Sequence, residues 1–326
     1  MNQPLTAPRA ISLDEVRDAR RRIAKTIVRT PLVRLNVDHP RDIYLKLENL
    51  QPINAFKIRG AANAVAMLSE QQRRLGVWTI SAGNAGQGVA YAARQAGIPC
   101  TVVVIETAPD TKVNRMSELG ARLIKAPFDA CWAAMGDREF PGVEGTFIHP
   151  FDDHDFIVGN ATMALEIFED LPEVRGIVAS IGGGGLIAGV GGAARLINPE
   201  VRIWGAEPET AAPASQSFSN NAPEVFSQWS ASFVDGAGGK SIFPRMWERI
   251  REVVDGSIVV TLDEVKTAMR IVAEKNRVIA EGAGALAVAA ALTGRAGKGP
   301  LVAVISGGNV DLRRFAELIG VAILPE

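Results

Sequence analysis

Apolar and polar residues alternate along "DIYLKLENL", 42–50, with Ile43, Leu45 and Leu47 set against Tyr44, Lys46 and Glu48. A period of two marks a half-buried strand. The Pro-containing "QPINA" breaks it, and "IRGAANAVAML" after Lys57 has helical composition. From residue 77 the pattern becomes regular. "VWTIS" (77–81), "CTVVVI" (100–105), "RLIKA" and "GTFIH" (145–149) are short strand-like runs. Between them lie the helical stretches "GQGVAYAARQAG", "TKVNRMSELG", with Val113, Met116 and Leu119 on one face, and "DACWAAMGD". A second series follows: strand "GIVASI" (176–181), a glycine loop, helix "LIAGVGGAARLI" and strand "VRIWGAE" (201–207). An amphipathic helix, "LDEVKTAMRIVAEKNRVIA", takes Thr261 as its N-cap, and "GPLVAVIS" (299–306) is a last buried strand. Buried apolar strands alternating with helices predict an α/β fold with parallel sheets. The Pro-, Ser- and Gly-rich region 209–256 reads poorly. The composition changes at "PFDDHDFI", 150–157, the best internal boundary.

Length and charge narrow the function. The 326 residues suffice for two domains, and a formal net charge of −1 gives no reason to invoke nucleic acid or a membrane surface. The longest apolar runs fall short of a membrane span, and "MNQPLTAPRA" has no apolar signal core, so the cytoplasm is the expected compartment. Two cysteines are too few for a disulfide framework, and Cys100 reads as a buried small hydrophobe. "FDDHDF", 151–156, reads as a polar interdomain loop, because adjacent ligands on a loop cannot all face one ion.

Three glycine loops and one lysine carry the candidate chemistry. "SIGGGGLIAG", 180–189, leaves a strand and enters a helix, where bare backbone N–H groups and the helix dipole favour a phosphate. Gly183, Gly185 and Gly189 loosely imitate a dinucleotide fingerprint, with Glu207 ending the next strand, so a nicotinamide oxidoreductase is a rival. Ala188 stands where that fingerprint wants glycine. "SAGNAGQG", 81–88, is a second strand–loop–helix passage, and "SGGN", 306–309, follows the last strand. In "NAFKIRGAANA", 54–64, Lys57 follows the bulky Phe56 at a helix start.

The set resembles the fold-type II pyridoxal-phosphate enzymes, related to the tryptophan synthase β fold. Within them it resembles the threonine/serine dehydratase group, with serine racemase as a cousin. The matching pieces are "TPLVRL" (30–35), "YLKLENLQP" (44–52), "FKIRGA" (56–61), "SAGN" with "QGVA" (81–90), "GGGGLIAG" (182–189), "EGAGA" (281–285) and "SGGN" (306–309). They are colinear and span nearly the whole chain. The resemblance implies pyridoxal 5'-phosphate as cofactor, a small amino acid as substrate and a homodimer. It implies two α/β domains with the cofactor between them: a large one from 1–76 and 150–326, and a small mobile one from 77–149.

The resemblance also implies roles. Lys57 forms the Schiff base with the cofactor and serves as general base, which requires a neutral amine. Phe56 packs on the cofactor face, and Asn84 bonds the ring hydroxyl oxygen. Gly182, Gly183, Gly184 and Gly185, with Leu186, donate N–H groups to the phosphate. Ser306 meets the pyridine nitrogen, and Glu281 tunes the ring or merely starts a helix. Ser81, Ala82, Gly83, Asn84 and Ala85 dock the substrate carboxylate. A neutral serine hydroxyl does not hold the ring nitrogen protonated, so the ring is a weaker electron sink and prompt elimination suits it. The implied reaction is α,β-elimination from an L-3-hydroxy amino acid to a 2-oxo acid and ammonia.

Departures from the family pattern refine this. Serine racemase has a serine at the second loop position, here Ala82, so little racemisation is expected. Ala85 replaces a histidine, Ala55 a serine, and "GNAT" (159–162) stands for "GQGT". Groups trimmed near the expected substrate point to a larger one such as 3-phenylserine; neutral drift in a threonine/serine dehydratase is the alternative. Relatives bind a divalent cation through the acid of the "EP" segment, here Glu207, but a second expected acid is Pro213, so no metal is expected. A β-replacement synthase of the same fold is a further alternative, although such relatives carry a threonine-rich loop where this chain has "SAGNAG".

Overall fold

The computed structural model describes residues 7–108 and 110–321; the first six residues of "MNQPLTAPRA" lie outside this range. Among the described residues the strands are β1 (Leu32–Arg34), β2 (Ile43–Leu47), β3 (Val77–Ile80), β4 (Cys100–Ile105), β5 (Arg122–Ala126), β6 (Thr146–Phe147), β7 (Gly176–Ser180), β8 (Arg202–Pro208), β9 (Gly256–Val260) and β10 (Leu301–Ile305). They form two sheets, ordered β1-β2-β10-β7-β8-β9 and β5-β4-β3-β6. Every pairing is parallel except β1 with β2. The α/β class read from the alternating pattern is the class observed. The four-stranded sheet is one continuous stretch of chain, and the six-stranded sheet takes strands from both sides of it.

The central strands are apolar on both faces because helices cover both. Val302 and Val304 of β10 point into one core with Ile157, Ile187 and Ala161. Leu301, Ala303 and Ile305 point into the other, against Leu286, Val288 and Ala289 of the helix Gly282–Leu292. Successive strand side chains alternate between faces, so an unbroken apolar run is what two cores demand.

Several elements depart from the sequence reading. "FDDHDF" is not a loop throughout: Asp153 accepts from the Phe156 N–H and caps the helix His154–Asp170. That helix is buried on nearly every side, so it has no polar stripe to give it a period. Region 209–256 holds the helices Pro213–Asn220 and Pro244–Val253, with Pro in the first turn of each. "GTFIH" yields only two strand residues. Thr261 caps its helix as expected, in a reciprocal pair with Glu264. No helix among the described residues is long and apolar enough to cross a membrane.

The fold sets up the site through strand ends. β3 runs into Ser81, β7 into the tetraglycine loop and β10 into Ser306. All three loops leave the carboxyl ends of parallel strands, where open α/β sheets place their ligands.

Candidate active site

A cavity of about 500 Å³ lies between the two sheets. Lys57 opens the helix Lys57–Ala66 at its edge. The preceding Phe56 is anchored by its N–H, which donates to the Ser306 carbonyl at 2.9 Å. Lys57 Nζ donates to the Pro150 carbonyl at 2.6 Å and lies 5.2 and 5.5 Å from the centres of the Phe56 and Phe156 rings. Desolvation by these neighbours pushes the amine down to about 8. The helix start is held from beneath. Arg59 is fully buried, with Nε 2.7 Å from Glu48 and Nη1 2.8 Å from Glu166, and Lys46 Nζ lies 2.6 Å from Glu166.

The glycine loop 182–185 lines the facing wall and enters the helix Gly185–Ile197, which starts without a side-chain cap. Gly184 has φ +87°, a conformation that suits glycine. Close approach explains its neighbours: a Cβ on Gly183 would lie 2.2 Å from the Phe151 ring, and one on Gly185 2.7 Å from the Phe151 carbonyl. Leu186 follows on the same wall.

Ser81 to Ala85 form a third wall, where Ser81 Oγ accepts from the Gly83 N–H at 3.1 Å. Asn84 Nδ2 donates to Glu281 Oε1 at 2.7 Å, and its Oδ1 accepts from Asn309 Nδ2 at 2.7 Å. Ser306 Oγ is buried, accepts from Ser180 Oγ at 3.4 Å and donates to the Ala283 carbonyl at 3.3 Å. The cavity thus gathers every site residue named from the sequence.

The family model described as "Pyridoxal-phosphate dependent enzyme" matches residues 23–307. The chain belongs to that family. The L-threonine ammonia-lyase of Thermotoga maritima is 40% identical over 95% of this chain and 78% of its own length. The catabolic L-threonine dehydratase of Escherichia coli K12 is 35% identical over 95% of this chain and 96% of its own. The solved structure of maize serine racemase superposes with a TM-score of 0.86 at 33% identity, covering 95% of this chain and 97% of that one. This protein is therefore a pyridoxal-phosphate-dependent lyase of the carbon–oxygen, ammonia-releasing kind, and the nicotinamide reading of the tetraglycine loop falls.

The donor set of this pyridoxal-phosphate enzyme fits its cofactor. An aldehyde needs an amine that spends time neutral, and Lys57 is held below the ordinary lysine value. A phosphate needs bare N–H groups at a helix start, and any Cβ on Gly183 or Gly185 would strike Phe151 behind the loop.

Some expectations about surroundings are corrected. "GNAT" does not reach the cavity: it lies within the helix His154–Asp170, where Asn160 Nδ2 donates to the Gly185 carbonyl at 3.2 Å from behind the loop. Ala55 is buried and bridges Gly307. Of Ala85, Ala55 and "GNAT", only Ala85 lines the cavity, where it joins Ala82. Glu207 also points elsewhere. It accepts from the Ala214 and Ser215 N–H groups and from Ser257 Oγ, and burial pushes its carboxyl up to about 7. It pins the start of the helix Pro213–Asn220. The sequence reading gave no role to Pro150, Phe151, Ser180 and Asn309. Asn309 had the one available signal, as the last letter of "SGGN".

Proposed function

We propose that this protein is a dehydratase that converts an L-3-hydroxy amino acid into a 2-oxo acid and ammonia by α,β-elimination. The observation that carries this reading is the buried Lys57 amine, facing the cavity between the sheets at a pKa of about 8. When bound, pyridoxal phosphate supplies an electron sink that acidifies the substrate's α-carbon. Lys57 would hold its aldehyde, the N–H groups of Gly182 to Leu186 its phosphate, Asn84 its ring hydroxyl and Ser306 its ring nitrogen, with Phe56 packed against it. Lys57 Nζ, once free, takes the α-proton; its lowered pKa keeps a neutral fraction available near neutral pH. The loop 81–85 orients the substrate carboxylate with Ser81 and backbone N–H groups. The 3-hydroxyl leaves as water with the proton that Lys57 took from the α-carbon, and water then hydrolyses the resulting enamine to the 2-oxo acid and ammonia.

Two named relatives act on L-threonine, which supports a hydroxy amino acid as substrate. Ile80, Ile105 and Met135 line the same cavity as Ala82 and Ala85, alongside the polar Gln87 and Thr107, and the apolar side chains support a bulky apolar β-substituent. We therefore assign 3-phenylserine above threonine. Measured kcat/KM for the two decides it: phenylserine is expected to lead by about tenfold or more, and a threonine preference rejects the assignment. Borohydride treatment of the cofactor-loaded enzyme should add the cofactor's mass to the peptide holding Lys57; no added mass there rejects the reading as a whole. Ala82 carries no proton to give, so racemisation is expected to be slight. A homodimer in the cytoplasm, with residues 77–149 moving against the rest, completes the reading.

A further inference from the structure

Residues 148–152 leave the small sheet and run beneath the cavity. Thr79 Oγ1 donates to the Ile148 carbonyl at 2.8 Å and ties the start of the segment to β3. Pro150 offers the carbonyl that receives Lys57, and Phe151 fills the space behind Gly183 and Gly185. His149, 1% exposed, closes the turn: its Nδ1 accepts from the Phe151 and Asp152 N–H groups at 3.3 and 3.0 Å. One short segment thus touches the amine and the phosphate loop together.

Asp152 ends that segment, 3% exposed. Its Oδ2 accepts from Arg245 Nε at 2.9 Å and from Arg138 Nη2 at 3.0 Å, and the same Nη2 donates to the Asp152 carbonyl at 2.6 Å. The two cations come from opposite sides. Arg138 ends the helix Phe128–Asp137, beside the small sheet, in a left-handed conformation. Arg245 lies in the first turn of the helix Pro244–Val253, which packs on the helix of the glycine loop.

We propose that Asp152 is a positioning residue for Lys57, its carboxylate clamped between Arg138 and Arg245 so that the Pro150 carbonyl holds the amine in place. This rests on Lys57 being the reactive amine. Only Phe151 separates Pro150 from Asp152, and its ring is wedged behind the glycine loop. The Pro150 carbonyl shares its peptide plane with the Phe151 N–H, and His149 Nδ1 accepts from that N–H and from the Asp152 N–H, so a shift at Asp152 passes to the carbonyl with little slack. A displacement of about 1 Å at a reacting group costs up to about a hundredfold in rate. A merely structural ion pair would affect melting alone.

Asp152→Asn keeps the shape and removes the charge. Arg138→Lys keeps the charge but replaces the Nη2 of a flat guanidinium, which donates to the Asp152 carboxylate and carbonyl alike, with an ammonium on a shorter, more flexible stem; Arg138 sits at a partly exposed helix end. Three readouts apply to both: kcat and KM separately for threonine, the melting temperature, and the rate at which acetic anhydride labels Lys57 in the full chain before cofactor is added. Asp152→Asn is expected to lower kcat by about tenfold or more with KM within about twofold, and to change the labelling rate severalfold. Arg138→Lys is expected to shift both in the same direction by less. A lower melting temperature with kcat and labelling unchanged overturns the assignment. If Asp152→Asn does not fold, Arg138→Lys decides, and unchanged kcat and labelling there overturn it. The Lys57 reading is checked separately, by the borohydride mass on the wild-type enzyme.

Discussion

Asn84 and Glu281 meet at 2.7 Å across the cleft, although 197 positions separate them in the chain. Asn84 opens the helix Asn84–Ala96 of the small sheet, and Glu281 precedes the helix Gly282–Leu292 behind the large one. Asn309 donates to the other end of the Asn84 amide, so nitrogen and oxygen each have one assigned partner. Glu281→Ala removes one of the two and frees the amide to turn. We expect kcat/KM to fall about tenfold, equivalent to about 1.4 kcal/mol, with Glu281→Gln, which keeps an acceptor oxygen, losing less. Equal losses in the two variants would refute the orienting role.

Gly183→Ala sets a methyl group 2.2 Å from the Phe151 ring. Either the ring or the loop must move. Overpacking of this kind costs about 1–3 kcal/mol. A thermal melt reads that cost, and titration of the full chain with cofactor is expected to show weaker binding, since the loop's N–H groups shift with it.

Arg59→Met leaves Glu48 and Glu166 buried and short of a cation, although Thr30 and Lys46 still donate to them. Stripping one partner from such a network costs about 3–5 kcal/mol. The urea midpoint should fall accordingly, and adding Glu48→Gln should recover part of it. A double variant no more stable than the single one would contradict this account.

Burial, with Arg138, Lys57 and Arg245 nearby, lowers the His149 pKa well below its ordinary 6.5. The folded protein keeps the ring neutral, while the unfolded chain takes up a proton near 6.5. Below that value the unfolded state binds more protons, so stability is present above it and lost as pH falls. The urea midpoint should drop between about pH 7.5 and about pH 5.5, and His149→Gln should flatten that slope. A slope unchanged in the variant would assign the loss to other groups.

Much of this was readable before any coordinates. β4, β7 and β10 are apolar runs of five or six residues ended by glycine or polar loops, and the covered sheets made them so. The helix His154–Asp170 was not readable, and of Gly282–Leu292 only a possible start at Glu281 was, for one shared reason. Both are buried nearly all round, so neither shows the 3.6-residue stripe that betrays a surface helix. Glu207 imitated the ribose acid of a dinucleotide site because its partners, Ala214, Ser215 and Ser257, come from two other elements.

The local order of the chain carried the family resemblance that named the chemistry: an aromatic and a lysine at a helix start, and glycines and a serine where strands end. Those choices answer to near neighbours, through side-chain periodicity and the backbone's need for φ freedom or bare N–H groups. The partners were another matter. Pro150 beneath Lys57, Glu281 beside Asn84, and Arg138 with Arg245 around Asp152 join distant stretches of chain. Such pairs exist because two sheets pack against each other, and no local window of residues carries the relative placement of two sheets.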